Sequence, residues 1–362
     1  MLLLYQKKEE KRTKPFELNF VSSFKDGIIN TLMNKKIIAF IVAIAIFIIA
    51  GIIWKQTRPI PKYTGPIEKF TIADVRSVLN TIAKEKGFFA ENGLDAQVKD
   101  FASGPVGIDA LLSGEIDVSP SADFVGVSKI YDHKNLRILA QLSKENVLYV
   151  IGRKDKGINK PEDLKGKTIG ITEKSIAEFF FSQFLTANNL SPQEVTAVNL
   201  APDELTAQLE KGQIDAVLTW EPFVYRIKKE LGDNASIWSA QGDQRFFLLA
   251  YSTDRFIKDH PVIIERYLNA MNETAQYIKN NPAEAKAIIA KNYYDDAYMQ
   301  YFWGSEDYDV RLEQALLPEL EREARFLMAN KLTNQTEVPN FVNFIYFDAL
   351  EKIKPEAITI IK

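Results

Sequence analysis

Eighteen consecutive residues, from Ile37 to Trp54, carry no charged and no polar side chain. A surface helix of a globular protein pairs an apolar stripe with a polar face, and this run has no polar face. As a helix it rises about 27 Å, close to the thickness of a bilayer's hydrocarbon core. The pattern therefore predicts a transmembrane helix over 37–54. Residues 1–36 hold eight Lys or Arg, whereas the twenty residues after Trp54 hold four. That bias sets the N-terminal tail in the cytoplasm and the rest of the chain outside it. Trp-Lys-Gln-Thr-Arg-Pro follows the run and offers no small-x-small cleavage site. A retained anchor is expected rather than a cleaved signal. Residues 55–66 carry three prolines and one glycine and read as an extended linker.

Beyond residue 67 short apolar runs alternate with helical periodicity, which predicts an α/β architecture with largely parallel sheets. Strands are expected at 69–73, 95–101, 116–118, 194–200, 214–219 and 246–252, with a turn leading into a strand over 165–171. Helices are expected at 77–86, 105–113, 175–188, 202–211, 261–291, 311–330 and 341–352. One unit recurs: ALLSGEIDV at 110–118 and AQLEKGQIDAV at 207–217. In each, a helix ends on a glycine and an aspartate follows three residues later (Gly114 to Asp117, Gly212 to Asp215). Glycine suits a helix end that turns left-handed. Two such units imply two lobes of similar topology, with Asp117 and Asp215 holding structural hydrogen bonds.

Charge divides along the chain. Residues 1–66 carry 11 Lys or Arg against 4 Asp or Glu, and the remainder 34 against 44. An acidic soluble portion argues against nucleic acid as a partner. The absence of cysteine removes disulfides, thiolate metal sites and cysteine nucleophiles. His133 and His260 lie far apart, so no metal site and no cofactor is expected.

Four fragments in order, IAKEKGFFAENGLD at 82–95, SGPVGIDALLSGEIDV at 103–118, DLKGKTIGIT at 163–172 and TWEPF at 219–223, resemble the nitrate, sulfonate and taurine-type solute-binding proteins of ABC importers. That group also includes thiamine-pyrimidine binders. The resemblance implies a two-lobed periplasmic-binding-protein fold (type II). Residues 67–149 and 246–362 would form the first lobe and 150–245 the second, with crossing strands near 149–153 and 246–250 as the hinge. It also implies one small ligand, presented to a permease and ATPase. Thiamine-pyrimidine synthases share this fold and, as the resemblance implies, use histidine and a cysteine-rich segment; with no cysteine and neither histidine in a candidate loop, no enzymatic activity is expected. The family often has Gly-Ser after the strand ending near residue 172, where this chain has Lys174-Ser175.

In open α/β sheets, ligands bind beyond the carboxyl ends of the strands. The loops there supply the candidates: Asp74 and Arg76, Ser103 and Gly104, Ser121 and Asp123, Thr172, Lys174 and Ser175, Trp220 and Glu221. Helix N-termini with hydroxylic residues suit anions, and Arg76 suits a carboxylate or sulfonate. Capping alone also explains Ser103, Ser121 and Thr172. Asp74, Asp123 and Glu221 suit a positive or N–H-bearing end, and Trp220 offers a flat wall. The expected ligand is an anionic or zwitterionic organic solute. A pyrimidine or aromatic ligand, or a sensing role through a membrane partner, is the alternative.

Overall fold

The computed structural model describes residues 42, 44, 63–293, 298–299, 303–304 and 306–362. Residues 1–61 and 62–362 form separate units. In the first, Val42 and Ile44 are helical and exposed. The rest of the anchor expected at 37–54, the basic tail and nearly all of the linker lie outside the described residues. Among the described residues, no helix is long and apolar enough to cross a membrane.

In the second unit, β1 (Glu68–Asp74) pairs in parallel with β2 (Leu94–Asp100), with α1 (Val78–Lys86) and α2 (Phe88–Glu91) between them. Next come α3 (Gly104–Ser113), β3 (Ser119–Ala122), α4 (Asp123–Ile130) and β4 (Leu136–Glu145). A second sheet follows from β5 (Leu148–Arg153), β6 (Thr168–Ile171), α5 (Ile176–Ala187), β7 (Thr196–Asn199), α6 (Pro202–Glu210), β8 (Ala216–Trp220), α7 (Phe223–Leu231) and β9 (Ala235–Ser239). The chain then returns as β10 (Phe246–Thr253), α8 (Asp254–Asp259), α9 (Pro261–Asn280), α10 (Pro282–Tyr293), β11 (Glu306–Arg311), α11 (Leu316–Ala329) and α12 (Asp348–Ile353). The strand orders are β11-β4-β10-β3 and β7-β6-β8-β5-β9, beside the β1-β2 pair.

Local chemistry explains the boundaries. Ser77 caps α1 by accepting from Asn80 N, and Asp74 Oδ1 accepts from Ser77 N at 2.7 Å. The repeated unit is equivalent in three dimensions. Gly114 and Gly212 both turn left-handed, at φ 80° and 68°. Asp117 then accepts from the backbone and hydroxyl of Thr71 on β1. Asp215 accepts from Thr168 N at the start of β6. Each aspartate thus ties its strand to the neighbouring parallel strand.

Five expectations shift. The sheets expected to be largely parallel are mixed, because β10 and β5 enter their sheets from the crossovers and run antiparallel to β3 and β4 and to β8 and β9. Residues 119–122, read as a loop, form β3 because β10 offers an antiparallel partner. The long helix expected at 261–291 breaks between α9 and α10, where Pro282 has no N–H to continue the ladder. The helix expected from 311 begins at Leu316, because residues 306–311 pair with β4 as β11. Residues 341–352 divide into a 3₁₀ turn (Phe341–Phe344) and α12.

Two features join the sheets. Phe179 of α5 stacks on Phe124 of α4 at 5.6 Å and meets Phe326 of α11 edge-on at 5.1 Å. All three belong to one apolar cluster. The two crossovers, from β4 to β5 and from β9 to β10, are laced by the buried side chain of Gln241. Its Oε1 accepts from Val147 N at 2.8 Å and Leu148 N at 2.9 Å. Its Nε2 donates to the carbonyls of Glu145 at 2.9 Å and Gln244 at 3.2 Å.

Candidate functional site

The strand and helix ends that the topology gathers between the two sheets enclose a cavity of about 150 Å³. From the first sheet system come the loop after β1, the N-terminus of α3, and residues of β3, β4, β10 and β11. From the second come the N-termini of α5 and α7 and the end of β8. Four helices of nine to twelve residues (α1, α3, α5 and α7) thus begin at its wall. Their first-turn N–H groups and dipoles favour negative charge there.

Seven of the eleven residues singled out from the sequence line this cavity: Arg76, Ser103, Gly104, Ser121, Ser175, Trp220 and Glu221. Gly104 is needed for packing, since a Cβ there would collide with the Ser121 hydroxyl. Ser121 Oγ is buried and, among the described residues, has no hydrogen-bond partner. Ser175 Oγ accepts from Ala177 N and donates to the Thr172 carbonyl, so this hydroxyl caps α5. Arg76 is exposed, holds a left-handed backbone at φ 68°, and lays its guanidinium 4.8 Å from the centre of the Phe223 ring across the cavity. Trp220 meets the same ring edge-on at 6.1 Å. A non-glycine residue held at positive φ is strained, and such strain concentrates at binding sites.

Glu221 is 9% exposed. Its Oε2 accepts from Tyr225 N at 3.1 Å, while Oε1 has no partner among the described residues. Burial pushes its pKa up to about 7, against the opposing pull of the Tyr225 amide and of Lys228.

Four candidates stand outside the cavity lining. Asp74 is engaged with Ser77 N. Asp123 is fully buried, accepting from Phe124 N and Phe247 N, and burial raises its pKa to about 7. Thr172 Oγ1 donates to the Leu200 carbonyl. Lys174 sits at φ 58°, a conformation that glycine adopts without strain, and its N–H donates to Glu178.

Sequence reasoning missed Glu145, Glu306, Tyr308, Phe246 and Leu248, which also line the cavity. Glu145 and Glu306 face each other across β4 and β11, and Ser143 faces Tyr308. Phe246 and Leu248 of β10 face Glu145 and Ser143 in turn. Ser143 Oγ donates to Glu145 Oε1 at 2.7 Å. Burial pushes the carboxyl pKa values of Glu145 and Glu306 upward, helped by the charge of Asp123 at Glu145 and by that of Glu145 at Glu306. Among the described lining residues, Arg76 is the one Lys or Arg, against Glu145, Asp203, Glu221 and Glu306. Asp203 already pairs with Arg226 at 3.0 Å.

The NMT1/THI5-like family model matches residues 79–285, more than half of the chain. The taurine-binding periplasmic protein of Escherichia coli is 28% identical over 217 residues, 58% of this chain and 63% of its own length. The alkanesulfonate-binding protein SsuA of Xanthomonas axonopodis, solved with MOPS bound, superposes with TM-score 0.69 at 16% identity, covering 78% of this chain and 99% of that one. The desulfurization enzyme DSZB superposes with TM-score 0.60 at 14% identity, covering 80% and 99%. The chain therefore has the α/β fold of the periplasmic binding proteins, which binding proteins and an enzyme both use.

Proposed function

This chain belongs to the NMT1/THI5-like family, and we propose that it is the membrane-anchored, extracytoplasmic solute-binding component of an ABC importer. One observation carries the reading: a cavity whose walls come from both sheet systems, joined through two crossovers. Such a cavity opens and closes when the two lobes bend about residues 145–148 and 239–246. Gln241, bonded to both crossovers, couples them.

Of the anionic and zwitterionic solutes expected from the sequence, the geometry favours a zwitterion. The helix N-termini and Arg76 suit a sulfonate or carboxylate, and the unpartnered oxygen of Glu221 suits an N–H donor. Trp220 and Phe223 supply the apolar wall that shapes the site. Binding, rather than turnover, fits these groups: Ser121 Oγ has no base bonded to it among the described residues, and Ser175 Oγ is engaged in its cap.

The apolar run at 37–54 supports a retained anchor with the basic tail in the cytoplasm. The linker of residues 55–66 spans at most about 40 Å when extended. It would hold the binding unit within reach of a permease and its ATPase. Thermal unfolding of the full chain in detergent tests the reading against sulfonates, amino acids, aminosulfonates and pyrimidines. A ligand that binds the folded state raises Tm by mass action. A concentration-dependent rise with one class is expected, and no rise with any class contradicts the reading.

A further inference from the structure

The face of the first sheet that floors the cavity carries an uncompensated acidic pair. Glu145 and Glu306 are direct partners across the antiparallel β4–β11 ladder. Directly opposed side chains in such a ladder lie on the same face with Cβ atoms about 5 Å apart, and like charges placed there repel. Glu145 is 9% exposed and accepts one bond, from Ser143. Glu306 is half-buried, and its Oε2 is buried without a partner among the described residues. No Lys or Arg of the described lining answers them: Arg76 is stacked on Phe223, a residue of the opposite wall. Phe246 flanks Glu145 on the next strand and keeps the pair in apolar surroundings.

Two carboxylates in such a place destabilise the empty protein, because a buried charge without a counter-charge is costly. Both also have their protonation pushed upward for that reason. An arrangement that is unfavourable when empty becomes favourable when a ligand brings the missing donors. An ammonium group has three N–H donors and an amidinium four, enough to bridge both carboxylates.

We propose that the solute carries a protonated amine or amidine, seated between Glu145 and Glu306, and that this pair makes the site select against solutes of the same shape without nitrogen. The proposal rests on the zwitterion reading above and seats the N–H-bearing end between Glu145 and Glu306 rather than at Glu221. The unpartnered Ser121 hydroxyl, at the α3 side of the cavity, is left to the negative end.

The test is calorimetric titration of the full chain with aminosulfonates, amino acids and diamines, each beside its isostere in which methyl replaces the ammonium. Taurine and propanesulfonate are the first such pair. The aminated member is expected to bind at least about tenfold tighter, since a buried charge-assisted hydrogen bond contributes more than one factor of ten. E306Q and E145Q, close in shape to the native side chains, should each reduce that preference at least about tenfold. Thermal unfolding of both variants verifies that they are folded. Equal affinity for an aminated solute and its isostere overturns the proposal while leaving solute binding intact. A preference unchanged in both variants, or binding of a bare divalent cation without amine selectivity, overturns it too. If no member of the panel binds, the solute-binding reading falls with it.

Discussion

Replacing Gln241 with methionine keeps the volume of the side chain and removes its hydrogen bonds to both crossovers. The native side chain makes four bonds, two as acceptor and two as donor, at 2.8, 2.9, 2.9 and 3.2 Å. It is 4% exposed, so water does not readily replace it. Each such bond contributes about 1 kcal/mol net, and a buried N–H left without an acceptor costs about 1–3 kcal/mol. Val147 N and Leu148 N are the two donors at stake. The carbonyls of Glu145 and Gln244 retain other acceptor capacity and suffer less. The expected loss for Gln241→Met is about 3 kcal/mol, which for a chain of this size lowers Tm by roughly 5 °C. Thermal and guanidinium unfolding of the full chain read this directly. A Gln241→Met protein that melts with the wild type would refute the reasoning, because packing is preserved and only the bonds are gone.

The remaining expectations concern charge, packing and the internal repeat. Burial raises the Glu221 carboxyl from 4.5 to about 7. Between those values the folded chain holds a proton that the unfolded chain has released, so stability falls as pH rises through that window. The shift corresponds to about 3 kcal/mol; Tm of the ligand-free protein should drop between about pH 5 and pH 8, and Glu221→Gln should flatten the curve. Phe179→Ala removes the ring shared by Phe124 and Phe326 and should cost about 3–5 kcal/mol in denaturant unfolding. Asp117→Ala should destabilise more than Asp215→Ala, by about 1 kcal/mol, because Asp117 accepts two bonds from Thr71 whereas Asp215 accepts one from Thr168 N. Equal losses would contradict this count of bonds.

Legibility in the sequence followed the range of the interactions. Caps and strand starts are local, so Ser77, Gly114, Gly212 and the two repeat aspartates were readable from residue type and spacing. The loops beyond the strands of the parallel β1–β2 and β6–β8 pairs were readable too, which is why Arg76, Gly104, Trp220 and Glu221 were among the candidates. Glu145 and Glu306 were not, because Glu145 has no local signal and Glu306 only a weak one. Their meaning arises from an antiparallel register between β4 and a strand far later in the chain. The segment 306–311, EDYDVR, is polar enough to favour a turn or helix start, and pairing with β4 overrides that propensity. A period-two reading of Glu306, Tyr308 and Val310 was the signal available. Asp123 misled for the converse reason. Its position at the start of α4 resembles a ligand loop, but its carboxylate accepts from Phe247 N on β10.

The central claim is that the cavity between the two sheets holds one small solute against Trp220 and Glu221. Calorimetric titration of the wild type beside Trp220→Ala, using whichever solute raises Tm, tests it most directly. One solute per chain is expected for the wild type, with affinity lowered at least about tenfold in the variant, the loss of one well-packed aromatic wall. A solute that binds Trp220→Ala as tightly as the wild type occupies some other site, and that result would contradict the claim.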